Sequence, residues 1–446
     1  MGPENRYFEL RPKIVLADTE ATISIRALHV RFKEEAEYEI NYYPLERYSQ
    51  TGEYKYQEIQ KVKPENGVII FKQFFKGEQE HVLRLKETLG EKSRLYEFRI
   101  YSLEKDLFDR KPYKGDLHMH SYYSDGRESP GFIAASCRRI GMDFMAITDH
   151  NNYQPSIEAQ DVFEDVEHDL LICRGEEIHP PGNPVHMVNF GGNFSVYDLI
   201  KNDKDKYFNE VKEIENTIKN VSDPDAIYQC ASCIWCFNKI REGNGLGIFC
   251  HPYWQINTGY YISDSVITYM YEHQPYDANE VIGGYNKPDV DSNTLQVARY
   301  NEERAKGRKI PIVGVSDAHS SREGVYSFGW HYTIVFSSKN EKDDLINSIK
   351  NLYSVAVEAI EGEPKRAYGP FRLVKYAQFL FREVFPLHDE LCFLEGEFMR
   401  LYIEGYEEAA NILKKLKGQT ARLYDAFYGT PEYEFRYFNV KLNLLL

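Results

Sequence analysis

The sequence predicts a mixed α/β protein in which a β-rich N-terminal region and a helical C-terminal region flank a middle built of apolar strand runs alternating with helices. Three observations carry this. Residues alternate with period two as far as Leu103, a polar, Pro-containing linker at Lys111 to Gly115 marks a change of texture, and apolar residues fall at helical spacing beyond about Gly369. The segments expected are a β-sandwich over 1–110, a domain of parallel strands or a barrel over 111–368, and a helical extension over 369–446. At 446 residues the chain exceeds one ordinary domain and can bury a large core.

In the first segment Tyr96, Phe98 and Ile100 face one way and Glu97, Arg99 and Tyr101 the other; Ile23 and Ile25 repeat the pattern, as do Leu83 and Leu85. Pro64, Asn66 and Gly67 mark a turn before the run Val68 to Phe71. In the second, Ser129 and Pro130 form an N-cap and first-turn pair. Ile133, Cys137 and Ile140 line one helical face, and Gly141 ends that helix. Phe144 to Ile147, Leu170 to Cys173, Gly247 to Cys250 and Ile310 to Val315 read as buried strands. In the third, Leu391, Leu394, Phe398 and Leu401 recur at helical steps, and Gly418 breaks two helices.

The net charge of -15 opposes non-specific binding to nucleic-acid backbones, so a long nucleic acid is not expected as a partner. The first thirty residues lack a secretory hydrophobic segment, and no run approaches the ~20 apolar residues of a membrane span. The seven cysteines read as reduced thiols, and the expected location is cytoplasmic.

The chemistry concentrates in five polar clusters, four of which follow a strand run or begin at its end. Gly115-Asp116-Leu117-His118-Met119-His120-Ser121 continues to Ser124-Asp125-Gly126; its alternate histidines place two imidazoles on one side of an extended segment, as chelation requires. Thr148-Asp149-His150 is the second. Gly175-Glu176-Glu177 supplies a carboxylate able to bridge two ions, and His186 follows in an apolar run. His251-Pro252 is the fourth, and Ser316-Asp317-Ala318-His319 again offers two ligands at alternate positions.

These motifs, in this order over roughly residues 113 to 360, resemble the polymerase and histidinol phosphatase (PHP) family of phosphoesterases. The resemblance implies a distorted, TIM-like (β/α)7 barrel whose mouth binds three divalent ions. It implies that His118, His120, Glu177 and Asp317 hold the first, Glu177, His186 and His251 the second, and Asp125, His150 and His319 the third. It further implies hydrolysis of a phosphomonoester or short phosphodiester by a metal-bridging hydroxide, with His118, His120, Glu177, His251, Asp317 and His319 carrying catalysis. Three divalent cations against three carboxylates leave the pocket positive, which favours a small phosphorylated substrate or a short oligonucleotide. Imidazole with carboxylate suits Mn, Fe or Zn. Arg322, three residues past His319, is a candidate to bind a substrate phosphate, and Tyr253 and Trp254, just past His251, to line the pocket.

Choosing Glu177 over Glu176 follows from the motif and from strand alternation, and His186 is preferred to His179, which precedes Pro180 and Pro181. Asp116 and Asp149 are candidates to orient imidazoles. Cys230, Cys233 and Cys236 suit a buried helix face better than an iron-sulfur site, and His388-Asp389 reads as a surface pair. Two other functions fit the same motifs: a metal-dependent hydrolase of another ester or an amide, and a metal-stabilised binding scaffold.

Overall fold

The structure is a computed structural model that describes residues 6–46, 58–219, 221, 223–256, 259–284, 290–322 and 328–429. It divides into two compact units. One comprises the described parts of Met1–Lys111, Lys375–Leu391 and Gly418–Leu446, the other Pro112–Val374 and Cys392–Lys417. Residues of the C-terminal helices thus fall in both.

The first unit contains a three-stranded antiparallel sheet (Phe8–Arg11, Thr19–Ala27, Val68–Phe75) and a five-stranded sheet ordered Ile14–Leu16, Lys92–Leu103, Gln79–Leu89, Glu37–Pro44, Glu58–Val62. One hydrophobic core joins them: Ile23, Ile25 and Phe71 from the first sheet pack in the same cluster as Ile40, Leu83, Leu85, Phe98 and Ile100 from the second. These are the inward members of the alternation, which is why period two reads so clearly here. The turn at Asn66 and Gly67 has both residues at positive φ, 50° and 77°, the backbone that a two-residue hairpin with right-handed strand twist demands. His388 corrects one expectation. It is fully buried, against Phe385 and Tyr424, although its neighbour Asp389 accepts from it at 3.0 Å.

The second unit is a curled arrangement of two mixed sheets. One runs Leu171–Cys173, Phe144–Ala146, Lys111–Asp116, His331–Ser337, Ser354–Glu358, Arg366–Tyr368; the other runs Gly175–Ile178, Met187–Phe190, Leu246–Phe249, Ala278–Ile282, Ile312–Gly314. The strands are not all parallel, as their alternation with helices had suggested. Met187–Phe190 runs antiparallel to both its neighbours, because the connection 179–186 is too short for the crossover that a parallel strand needs. Isolated parallel bridges join Met119 to Ala318 and His150 to Glu177, the latter within the strand Gly175–Ile178. The helix Pro130–Arg139 begins at Ser129, whose hydroxyl accepts from Phe132 N–H, and Cys230, Cys233 and Cys236 lie buried on the helix Pro224–Glu242. Among the described residues no helix is long and apolar enough to cross a membrane.

Candidate metal centre

Four of the five motifs follow a strand of the second unit. His118 and His120 follow Lys111–Asp116, His150 follows Phe144–Ala146, His251 follows Leu246–Phe249, and Asp317 and His319 follow Ile312–Gly314. Because Met187–Phe190 is reversed, its N-terminal end meets the C-terminal end of Gly175–Ile178, which brings His186 to Glu177. Strand alternation then separates the two glutamates. Glu177 lines the cavity, whereas Glu176 turns away to accept from Ser195 Oγ at 2.8 Å and Val196 N at 2.6 Å.

Glu177 is the hub. Its Oε1 lies 3.0 Å from His186 Nδ1 and 3.3 Å from His251 Nε2, and its Oε2 lies 3.3 Å from His118 Nε2 and 3.4 Å from His120 Nε2. Asp317 Oδ1 completes the second group at 2.9 Å from His120 Nε2 and 3.3 Å from His118 Nε2. A third group surrounds Asp125, whose oxygens lie 3.3 Å from His150 Nε2 and 3.2 Å from His319 Nε2. His319 Nδ1 donates to the Asp317 carbonyl at 2.8 Å, leaving Nε2 free to act as a ligand. All nine residues picked from the motifs are brought together, and His120 and His150 each lie close to both Glu177 and Asp125.

The donor set fits divalent cations. Ligands bonded at about 2.0–2.2 Å to one ion stand about 3 Å apart, as these atoms do. Hydrogen bonding accounts for only part of this proximity: His251 Nε2 meets Glu177 Oε1 at 3.3 Å and His120 Nε2 meets Asp317 Oδ1 at 2.9 Å, while the buried atoms Glu177 Oε2, His118 Nδ1 and His251 Nδ1 have no hydrogen-bond partner of acceptable geometry, although Glu177 Oε2 is only 2.7 Å from His150 Nδ1. Orphaned polar atoms this deep are costly unless something else satisfies them. Two of these residues also hold left-handed backbone, His251 at φ 25° and Asp317 at φ 50°, a strain that side chains bear where a site requires it.

The charges complement one another. Burial alone would raise the Glu177 carboxyl, but His118 and His186 hold it well below the usual range; Asp317 behaves likewise through His118 and His120, and Asp125 through His150 and His319. Desolvation opposes protonation of His150, yet Asp125 and Glu177 push it up to about 10. At His186 burial prevails and lowers the imidazole to about 4. Protons thus occupy positions where cations would compete for the same lone pairs.

Other predicted residues take different places. Asp149 accepts from Ser121 N at 2.8 Å and Ser121 Oγ at 2.6 Å, and Asp116 from Ser316 N at 3.0 Å and His118 N at 3.3 Å, so both brace backbone and loop instead of imidazole rings. Trp254 lines the cavity, 5.5 Å ring to ring from His251 and 5.9 Å from His186. Tyr253 does not; it packs against Tyr260. Arg322 is exposed and does not line the cavity.

His179, passed over in favour of His186, joins the centre as well. Its ring stacks on His186 at 3.6 Å and its Nε2 lies 3.0 Å from His150 Nδ1. The following prolines pointed to a loop, but Asn151, at φ 53°, accepts from His179 N at 2.8 Å and folds that loop inward. The hydrogen-bonding freedom of an Asn directly after Thr-Asp-His was the available signal. The cavity has a volume of about 440 Å³; Trp254, Ile256 and Tyr261 form its apolar wall, and among the described residues its lining contains no Lys or Arg.

The family model of the PHP domain matches residues 116–221. The DNA polymerase/3'-5' exonuclease PolX of Bacillus subtilis is 46% identical over 57 residues, a match that covers 13% of this chain and 10% of the polymerase. Among solved structures, a Bacteroides vulgatus two-domain protein assigned a PHP-like metal-dependent phosphoesterase is 18% identical, with 56% of this chain and 65% of that one covered and a TM-score of 0.39. A Bifidobacterium adolescentis protein assigned as a metal-dependent phosphoesterase is 17% identical, with 47% and 89% covered and a TM-score of 0.31.

Proposed function

We propose that this chain, which carries a PHP domain over residues 116–221, is a metal-dependent phosphoesterase acting on a phosphomonoester or a short phosphodiester. The observation that carries the reading is the division of Glu177 between two donor groups, Oε1 toward His186 and His251, Oε2 toward His118 and His120. In this reading the two curled sheets form a distorted β/α barrel and the N-terminal sheets a β-sandwich. The nine ligands hold three divalent ions, for which Mn, Fe and Zn suit the donors.

Bound divalent ions would supply Lewis acidity, making water a nucleophile near neutral pH and accepting charge from phosphoryl oxygens. The chain's own residues do the positioning. Glu177 fixes the spacing of two donor groups, the His319 hydrogen bond to the Asp317 carbonyl sets the direction of its Nε2, and Asp149 ties down the loop that presents Asp125. Among the described residues no Lys or Arg lines the cavity, so in this reading bound ions would meet the phosphate charge there. The wall of Trp254, Ile256 and Tyr261 borders the cavity on the His186 side and offers an apolar surface for an uncharged part of the substrate.

Protein stripped of metal and reloaded with Mn should release phosphate or a nucleotide from a panel of phosphate esters, and matched amides and carboxylic esters should be inert. Activity on amides alone would replace this reading with that of a different metal hydrolase.

A further inference from the structure

Resting on that metal reading, we infer that Glu280 is a positioning residue that orients His118 from behind the centre. Glu280 lies on the strand Ala278–Ile282, outside every motif that marks the site, and is completely buried. Neither carboxylate oxygen has a hydrogen-bond partner. A carboxylate in that position is retained only against a strong desolvation cost, so a basic neighbour has to answer it. The facing group is His118, whose Nδ1 is also without a partner and stands 3.8 Å from Glu280 Oε2. The opposite ring nitrogen of His118, Nε2, faces Glu177 and Asp317 at 3.3 Å each.

Three local features aim the side chain there. The pairing of this strand with Ile312–Gly314 shifts register between Glu280 and Ile282, an irregularity of the kind that redirects side chains near active sites. Gly283 vacates the space the carboxylate fills, since a Cβ at that position would lie 1.7 Å from Glu280 Oε1. Asn293 clamps Gly283, accepting from its N–H at 2.9 Å and donating to its carbonyl at 3.1 Å, so the vacancy is held open. Cys250 also borders Glu280 and its side chain interacts with His118, but its thiol lies 3.5 Å from the Ile248 carbonyl and sulfur is a weak acceptor beside a carboxylate.

The gap of 3.8 Å is longer than a hydrogen bond, and small ring or carboxylate rotations close it. With Nδ1–H directed to Glu280, His118 presents the Nε2 lone pair to the ion in a fixed direction and with greater basicity. The absence of Glu280 from the motif set does not lessen this role, because it acts through His118 and never touches substrate.

The test compares wild type with Glu280→Met, which keeps the volume and removes the acceptor, and Glu280→Gln, which keeps a carbonyl. Mn affinity is measured by chelator competition and metal content by elemental analysis, with melting of the metal-free proteins as a check on folding. Expected is a 10- to 100-fold loss of affinity in Glu280→Met and a smaller loss in Glu280→Gln, at similar metal-free melting temperatures. Equal affinities in all three proteins would overturn the inference while leaving the metal reading intact; wild type that binds no divalent ion would overturn the metal reading itself. Should the Met variant fail to fold, nitrogen NMR of zinc-loaded wild type decides. The inference requires His118 to carry its proton on Nδ1 and the metal on Nε2, and the reverse assignment sinks it.

Discussion

His81 and His118 are equally buried, both at 0% exposure, yet their surroundings differ in kind. In the N-terminal unit His81 has a partner on each nitrogen, Tyr42 Oη at 3.0 Å from Nδ1 and Ser102 Oγ at 2.7 Å from Nε2. In the second unit His118 directs Nε2 at Glu177, Asp317 and His120 together and leaves Nδ1 without a hydrogen bond. Arg138 resembles His81: fully buried, it donates from Nε to Glu395 at 2.6 Å and from Nη1 to Asp143 at 3.0 Å and to the Met142 carbonyl at 2.9 Å. A closed polar network explains its own burial. One in which buried polar atoms crowd together and several stay without a hydrogen-bond partner, as around His118 and Glu177, has the composition of a site for an ion.

The largest expected effect breaks the open network. The double variant His118→Ala/Asp317→Ala removes a nitrogen and an oxygen ligand from one donor group, and loss of several kcal/mol of charge stabilisation corresponds to about 10³-fold or more in turnover. Phosphate release by Mn-loaded protein measures it, and activity within tenfold of wild type would show that the group holds no ion needed for the reaction. Breaking the closed network should act on stability alone. Glu395→Ala leaves the Arg138 guanidinium buried and under-compensated, for an expected loss of about 3–5 kcal/mol in denaturant unfolding. The metal content of the protein that remains folded should not change, whereas a parallel fall in metal affinity would mean that the two networks are coupled.

The contrast between networks was only half legible in the sequence. The members of the donor cluster were readable because alternate residues at strand ends share a side, so His118 with His120 and Asp317 with His319 declare themselves in pairs. His179 was not, since its approach depends on the left-handed Asn151 and on a strand reversal that no local pattern encodes. Glu280 was invisible for the same reason: a register shift and a glycine three residues later aim it. The mixed strand directions escaped too, because hydrophobic runs of buried parallel and antiparallel strands look alike, while the exposed-face alternation of the N-terminal strands made their pairing plain.

Metal loading should stabilise the open network and leave the closed ones unchanged. For an ion at a hundred times its dissociation constant, mass action predicts about 2.7 kcal/mol per site relative to metal-free protein. Thermal unfolding followed with and without Mn, and after chelation, measures the shift. Hydrogen exchange should show the added protection at strand ends bearing His118, His150 and His251, not around Tyr42 and His81. Uniform protection of both regions would mean that the ion acts on global unfolding only.

The smallest effect concerns the closed network under acid. Burial lowers His81 to about 3, against an ordinary value of about 6.5 in the unfolded chain. The unfolded state therefore takes up the proton first. His81 costs nothing above pH 6.5, and stability is lost progressively as pH falls from there toward 3, by about 2 kcal/mol between pH 7 and pH 5. His168 and His331, each lowered to about 4, act with the same sign. A His81→Gln variant keeps a donor and an acceptor for Tyr42 and Ser102 while removing the titration, so its stability should decline less steeply between pH 7 and pH 5, leaving the slope due to the other two histidines. An unchanged slope would mean that His81 can be protonated in place, and that hydrogen bonds at both nitrogens do not by themselves make a buried network closed.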